Sequence, residues 1–226
     1  QNSEVAMHLK IHPAAIVDKK AKLADDIEVG PYALIGPNVE IGKSVTIASH
    51  VVLDGYIVIG EGTRIFTGAV IGSPPQDLKY KGKKSFLKIG KNNIIREYVT
   101  MNPGTEEGSV TFVGDGNLLM AYSHVAHDCK IGNNCVIANL GTLAGHVTIE
   151  DRVVMGGLAA VHQFTRVGKM AIIGGCSKVV QDIPPFSTCD GNPAKVYGLN
   201  LVGITRAGMP KDAQARLRKA FKILFH

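Results

Sequence analysis

Four histidines, His124, His127, His146 and His162, fall within one short stretch of the chain. An imidazole, with an unperturbed pKa near 6.5, can take a proton at neutral pH or bind a metal. From Val125 the chain runs in hexads: VAHDCK, IGNNCV, IANLGT, LAGHVT, IEDRVV, MGGLAA, VHQFTR. If one coil takes three hexads, those opening at Val125, Leu143 and Val161 stand on one face of three successive coils. That stacks His127, His146 and His162 along one wall, with His124 at the adjoining corner. A packing histidine is the ordinary alternative for any one of them, and only the clustering argues for chemistry. Asp128 follows His127 directly, but strand neighbours point to opposite faces. Its carboxylate can orient the ring only if a corner bends it back.

The elements that must hold these rings are visible in the same rhythm. Every sixth residue from Ile11 to Val179 is Ile, Leu, Val or Met, except Asp77, Lys83 and Glu107. Those three fall in stretches rich in Gly, Lys and Pro near 73–88 and 102–111, which read as loop insertions. Glycine often holds the second place (Gly30, Gly36, Gly42, Gly60, Gly72, Gly132, Gly168, Gly174), where a chain rounding a corner can need positive φ. A hexad that buries one aliphatic and one small residue makes no core alone, so coils must stack. The pattern resembles the hexapeptide-repeat acyltransferases. That resemblance implies a mainly β chain over residues 11–185, a left-handed parallel β-helix, against the usual right-handed crossover. At about 4.8 Å per rung, roughly nine or ten coils are expected.

Composition sets further bounds. No run of apolar residues is long enough to span a membrane, and no charged-then-apolar leader opens the chain, which argues for the cytoplasm. Residues 1–6 precede Met7 and read, within a lead-in over 1–10, as an expression remnant. Cys129, Cys135, Cys176 and Cys189 show no C-x-x-C spacing. Cys129 and Cys135 occupy the small fifth place of their hexads and read as buried packing residues. The net charge of +6 lies wholly in residues 195–226, where seven basic residues face Asp212 alone. This tail loses the hexad rhythm after Pro184 and Pro185. Leu217, Phe221 and Leu224 then keep helical spacing, with Pro210 near a helix start. Residues 186–226 are therefore expected to be a helical unit whose basic face suits an acidic partner, with nucleic acid disfavoured for lack of a motif.

The histidine segments themselves carry a closer resemblance. Ser123-His124-Val125-Ala126-His127-Asp128-Cys129, Leu143-Ala144-Gly145-His146 and Ala160-Val161-His162-Gln163-Phe164 resemble the signature of the acyl-carrier-protein:UDP-N-acetylglucosamine O-acyltransferases of lipid A synthesis. Gln76-Asp77-Leu78-Lys79-Tyr80 and Gly198-Leu199-Asn200-Leu201 match as well. The resemblance implies a homotrimer with sites between neighbouring solenoids and no cofactor beyond the phosphopantetheine of acyl-carrier protein. It makes His127 the general base, assisted by Asp128, with the Gly145 N–H serving the oxyanion. Asp77, Lys79, His124, His146, His162, Gln163, Asn200 and Arg206 would contact UDP-N-acetylglucosamine or line the cleft. Gly174 and Gly175 would leave room for the acyl chain. The chain departs from the family pattern at Val202, where an acidic residue is common, and at the second of two paired basic positions, where only Arg206 remains. It also ends at His226, ahead of the family's usual helical C-terminus, which reads as a truncation.

Three alternatives bear on the same residues. Stacked histidines on such a solenoid can bind zinc, as in carbonic anhydrases of this architecture. A non-catalytic scaffold would have no use for the Asp77-Leu78-Lys79-Tyr80 loop. The N-acyltransferase of the same pathway, or transfer to a 3-amino UDP-sugar, differs only in the acceptor atom.

Overall fold

The computed structural model describes residues 9–225. Residues 1–8, on which the expression remnant and most of the lead-in fall, lie outside the described residues, as does His226. Strands, most of them two to four residues long, wind into three sheets that are parallel but for the last strand, here called faces A, B and C. Each strand pairs with the third strand after it, so that Val125 lies opposite Leu143 and Leu143 opposite Val161. The result is a parallel solenoid of about 10 turns. First and fifth places point inward: Val125, Cys129, Leu143 and Val147 are fully buried. Burial pushes the Cys129 thiol up to about 12 and that of Cys135 to about 11, so both stay protonated and act as small packing groups.

The coil offset is 18 residues in most of the molecule. It grows to 30 where Val70 pairs with Thr100 and to 24 where Thr100 pairs with His124. Both increments are whole multiples of six, which is why the hexad ruler keeps its phase across Asp77, Lys83 and Glu107. Both extra lengths leave the coil between faces B and C. The strands Phe86–Ile89 and Val110–Val113 claim the last residues of the stretches read as loops, because Leu87, Ile89, Thr111 and Val113 alternate inward.

The glycine expectation is corrected. Among the eight second-place glycines named above only Gly72 has positive φ, +89°. The left-handed residue is instead the fourth of most hexads, for example Asp128 (φ 59°), His146 (62°) and Phe164 (65°). Second-place glycine answers a different need, close stacking of coils. A Cβ on Gly60 would lie 2.4 Å from the carbonyl carbon of Gly90, and one on Gly132 2.5 Å from Asp151 Oδ1.

The end of the chain also differs from expectation. Residues 186–226 are not helical throughout: Ser187–Gly191 continues face A in parallel with Ile172–Ile173, and Ala194–Leu199 returns antiparallel to it. Helices α1 (Leu201–Arg206) and α2 (Lys211–Phe225) follow. Leu217 of α2 faces Phe186 and Met209, while Leu224 is 72% exposed, because one short helix against a hairpin has room to bury only part of its apolar stripe. No described helix is long and apolar enough to cross a membrane.

Candidate active site

The coil turns from face B to face C at the third and fourth places of the hexads opening at Val125, Leu143 and Val161. This puts His127 and Asp128, Gly145 and His146, and Gln163 and Phe164 on one edge, in three successive coils. Both insertions leave the same edge in the coils just before them. They meet there: Gly108 N–H donates to the Lys84 carbonyl, and Lys83 pairs with Glu106. A cleft of about 740 Å³ forms beside them, lined by Asp77, Lys79, Thr105, His127, His146 and Gln163 among others.

The turn resolves how neighbours can cooperate. His127 and Asp128 are corner residues rather than successive strand residues, and the left-handed φ of Asp128 swings its carboxylate back toward the ring. His127 Nδ1 lies 2.9 Å from Asp128 Oδ2. An ionised carboxylate only accepts, so Nδ1 carries the hydrogen and Nε2 is left with its lone pair free. Burial alone would raise the Asp128 pKa, but hydrogen bonds from His127 and Thr105, with His146 nearby, hold it below the usual carboxylate range. The His127 ring lies against the bare face of Gly145, where a Cβ would sit 2.4 Å from Cε1 and 2.6 Å from Nε2. Among the described residues the Gly145 N–H has no acceptor. A lone pair and a free N–H therefore stand side by side, one able to take a proton and the other to meet developing negative charge.

The three rings read as a single stack are not in register. His127 holds the third place, His146 the fourth and His162 the second, so only two meet: His146 is edge-on to His127, with centroids 5.2 Å apart. Phe164 stacks on His146 at 4.6 Å. His162 is exposed and donates to the Gln163 carbonyl at 3.2 Å. His124 is not at a corner but in the strand His124–Val125, on the outer side of face B, with Nδ1 2.7 Å from Thr100 Oγ1. Its pKa is lowered, first by burial and then by His127. Asn200 is buried and doubly engaged, accepting from Gly203 N–H at 2.8 Å as the cap of α1 and donating to the Met170 carbonyl at 2.9 Å. Arg206 ends α1, exposed. Gly174 and Gly175 sit on the edge between faces A and B, beside Gly156 and Gly157. Thr105 was missed by sequence reasoning, which treated the second insertion only as a loop. Its length of one hexad and its place one coil before His127 were the available signal.

His127, Asp128 and His146 offer ligand atoms within 4.8 Å of one another. The donor set does not suit a metal. Asp128 Oδ2 already receives His127 Nδ1–H, the Thr105 hydroxyl at 2.7 Å and the Thr105 N–H at 3.2 Å. A zinc ion on that oxygen at about 2 Å would have to compete with all three.

A repeated-hexad solenoid with a histidine–carboxylate pair facing a cleft on one edge is the build of a hexapeptide-repeat transferase, and residues 111–145 match the model of the bacterial transferase hexapeptide. Residues 182–226 match the second domain of the UDP-N-acetylglucosamine O-acyltransferases. The chain is 50% identical over 222 residues to the acyl-[acyl-carrier-protein]--UDP-N-acetylglucosamine O-acyltransferase of Sinorhizobium fredii, covering 98% of this chain and 82% of that one. Against the Synechocystis enzyme of the same name identity is 53% over 167 residues, 74% of this chain but 60% of the relative. The solved structure of the UDP-N-acetylglucosamine acyltransferase from Campylobacter jejuni is 45% identical and superposes with a TM-score of 0.91, covering 96% of this chain and 84% of that one. The chain belongs to this family of O-acyltransferases, and its solenoid is a left-handed parallel β-helix.

Proposed function

We propose that this protein transfers a (3-hydroxy)acyl group from acyl-carrier protein to the 3-hydroxyl of UDP-N-acetylglucosamine, the first step of lipid A synthesis. The observation that carries the chemistry is the His127–Asp128 pair facing the cleft beside the open N–H of Gly145. His127 Nε2 takes the proton as the sugar oxygen attacks the thioester carbonyl. The carbonyl oxygen, now negative, is met by the Gly145 N–H. Collapse breaks the C–S bond, and the departing phosphopantetheine sulfur takes the proton back from His127, giving ester and free thiol. Asp128 stays ionised and keeps the imidazole in its reactive tautomer.

Asp77, Lys79, His146 and Gln163 surround this point and would hold the sugar nucleotide. His124 and His162 lie on either side of it and would line the cleft. Gly174 and Gly175 stand on the far edge of face B, so an acyl chain reaching them crosses the exposed Thr142 and Ala160. A neighbouring copy in a homotrimer would supply the other wall and bring Arg206 to the nucleotide. Asn200 acts through the helix that it caps. No cofactor is needed beyond the phosphopantetheine that the donor carries. The basic residues of α2, Arg216, Arg218, Lys219 and Lys222, suit the acidic carrier protein, and both substrates belong to the cytoplasm of a Gram-negative-type bacterium.

Product analysis by mass spectrometry tests the reading. Acyl-carrier proteins of several chain lengths are offered with UDP-N-acetylglucosamine and with its 3-amino analogue. An acylated UDP-N-acetylglucosamine with release of free carrier thiol is expected. Product from the 3-amino analogue alone would make the enzyme an amide-forming relative, and product from neither would end the proposal.

A further inference from the structure

The second insertion places one residue, Thr105, against the reacting pair. Thr105 directs both its hydroxyl (2.7 Å) and its N–H (3.2 Å) at Oδ2 of Asp128, the same oxygen that accepts from His127 Nδ1 at 2.9 Å. The Asp128 backbone is pinned from another side, its N–H donating to Thr111 Oγ1 at 2.7 Å. Thr105 itself is set by a tight turn in which Glu106 N–H donates to Ser109 Oγ (3.0 Å) and Ser109 Oγ–H to the Glu106 carbonyl (2.9 Å). A Cβ on Gly104 would lie 2.7 Å from Asp128 Oδ1, so this loop can approach the carboxylate only with glycine there.

We infer that Thr105 is a positioning residue for the reaction: its hydroxyl and N–H clamp the Asp128 carboxylate, which in turn fixes the orientation and basicity of His127. Two donors from one residue hold a side chain that could otherwise rotate about two bonds. A carboxylate with fewer donors is also a stronger acceptor, and would pull harder on the His127 Nδ1 hydrogen. The hydroxyl is therefore a brake as well as a clamp. It spreads the carboxylate charge and so limits the pull on the Nδ1 hydrogen of His127.

The inference rests on His127 acting as general base, and its test separates the two. Thr105→Val removes the hydroxyl and keeps the shape, whereas Thr105→Ser keeps the donor. For Thr105→Val, kcat should fall about tenfold to a hundredfold, as for loss of a hydrogen bond to a charged group. KM for both substrates should change less than kcat, because valine keeps the shape of the cleft wall that Thr105 helps to line. The acid limb of kcat/KM should move to higher pH, since the unbraked carboxylate holds the His127 proton more tightly. The other charged groups around the pair, His124 and His146 beside it and Asp77, Lys79, Lys83 and Glu106 across the cleft, are the same in all three proteins. Thr105→Ser should restore wild-type kcat and pH profile.

Without substrate, the low-field proton resonance of the His127–Asp128 hydrogen bond should shift in Thr105→Val and return in Thr105→Ser. A fall in kcat with an unmoved acid limb and an unmoved resonance would make Thr105 merely structural and overturn the inference. If the resonance moves as expected in a protein that acylates neither sugar, the clamp stands and the proposed reaction fails.

Discussion

Two edges of the same solenoid are built on the same hexad and used in opposite ways. On the edge between faces C and A the fourth residues are left-handed, Asn134 at φ 56° and Arg152 at 57°, as Asp128 and His146 are on the edge between B and C. The third-place N–H groups divide the two. Between C and A three successive ones are closed by the next coil, Lys91 N–H on Asp115 Oδ1, Asp115 N–H on Asn133 Oδ1 and Asn133 N–H on Asp151 Oδ1, each at 2.7 Å. Between B and C the N–H groups of His127, Gly145 and Gln163 have no acceptor among the described residues. A buried or half-buried donor without a partner costs roughly 1–3 kcal/mol, so a fold that closes one edge gives up stability at the other. The backbone is common to both edges. Side chains at the third place decide which one is a seam and which one can meet a ligand.

The sharpest way to break this comparison is His127→Ala. If the open edge exists for catalysis, turnover should fall by about 10² to 10⁴, the usual worth of a positioned base, while thermal unfolding stays close to wild type. Steady-state kinetics beside a melting curve checks both halves. More than a tenth of wild-type turnover in the folded variant would remove His127 from its role.

A pair of glycine substitutions tests the two edges against each other with one added methyl each. In Gly145→Ala the Cβ would meet the His127 ring at 2.4 Å, and the ring must move. A misplacement of about 1 Å can cost around a hundredfold in rate, with little loss of stability because the cleft gives the ring room. In Gly132→Ala the Cβ would press on Asp151 Oδ1 at 2.5 Å and Asp151 N at 2.8 Å, inside the closed ladder. That should cost about 1–3 kcal/mol of stability and leave the rate per folded molecule unchanged. Measuring kcat and the denaturation midpoint of both would expose any crossing of the two effects.

How much of this was open to a reader of the sequence depends on whether each feature is periodic. The core and the loops are: aliphatic first places and small fifth places repeat, and insertions of whole hexads leave the phase intact. The departures at the open edge are single events. Asp128 reaches back to His127 only because the fourth place is left-handed, a property of the coil that no residue type announces, since Asp, His, Leu, Arg and Phe all adopt it. His127, His146 and His162 looked equivalent because the coil length was known, while the place within the hexad, which decides corner or flank, was left out of account. One signal was present and unread: Pro37 and Pro103 occupy third places on the edge between B and C, where a residue without N–H is tolerated because that N–H is not used. The hairpin over residues 187–199 broke the rhythm and passed for the start of the helical tail, because an antiparallel return does not share the period of six.

The smallest expected effect is in acid, and it too divides the edges. Two groups on or next to the open edge have depressed pKa values in the folded protein: His124, through burial and then His127, and Asp128, whose hydrogen bonds outweigh its burial. A depressed group binds its proton more readily in the unfolded chain, so stability is fully present above the unfolded pKa and is lost as pH falls through the folded one. For His124 the loss begins as pH drops below about 6.5, and for Asp128 below about 4. Urea midpoints measured from pH 7.5 to 3 should therefore decline in two steps. Asparagine in place of His124 should remove the first step, and Asp128→Asn the second. Gly132→Ala, which strains the closed edge without touching either group, should lower the whole curve and keep its shape. A wild-type curve that is flat down to pH 5, or a first step that survives the His124 substitution, would mean that His124 carries no acid-sensitive stability.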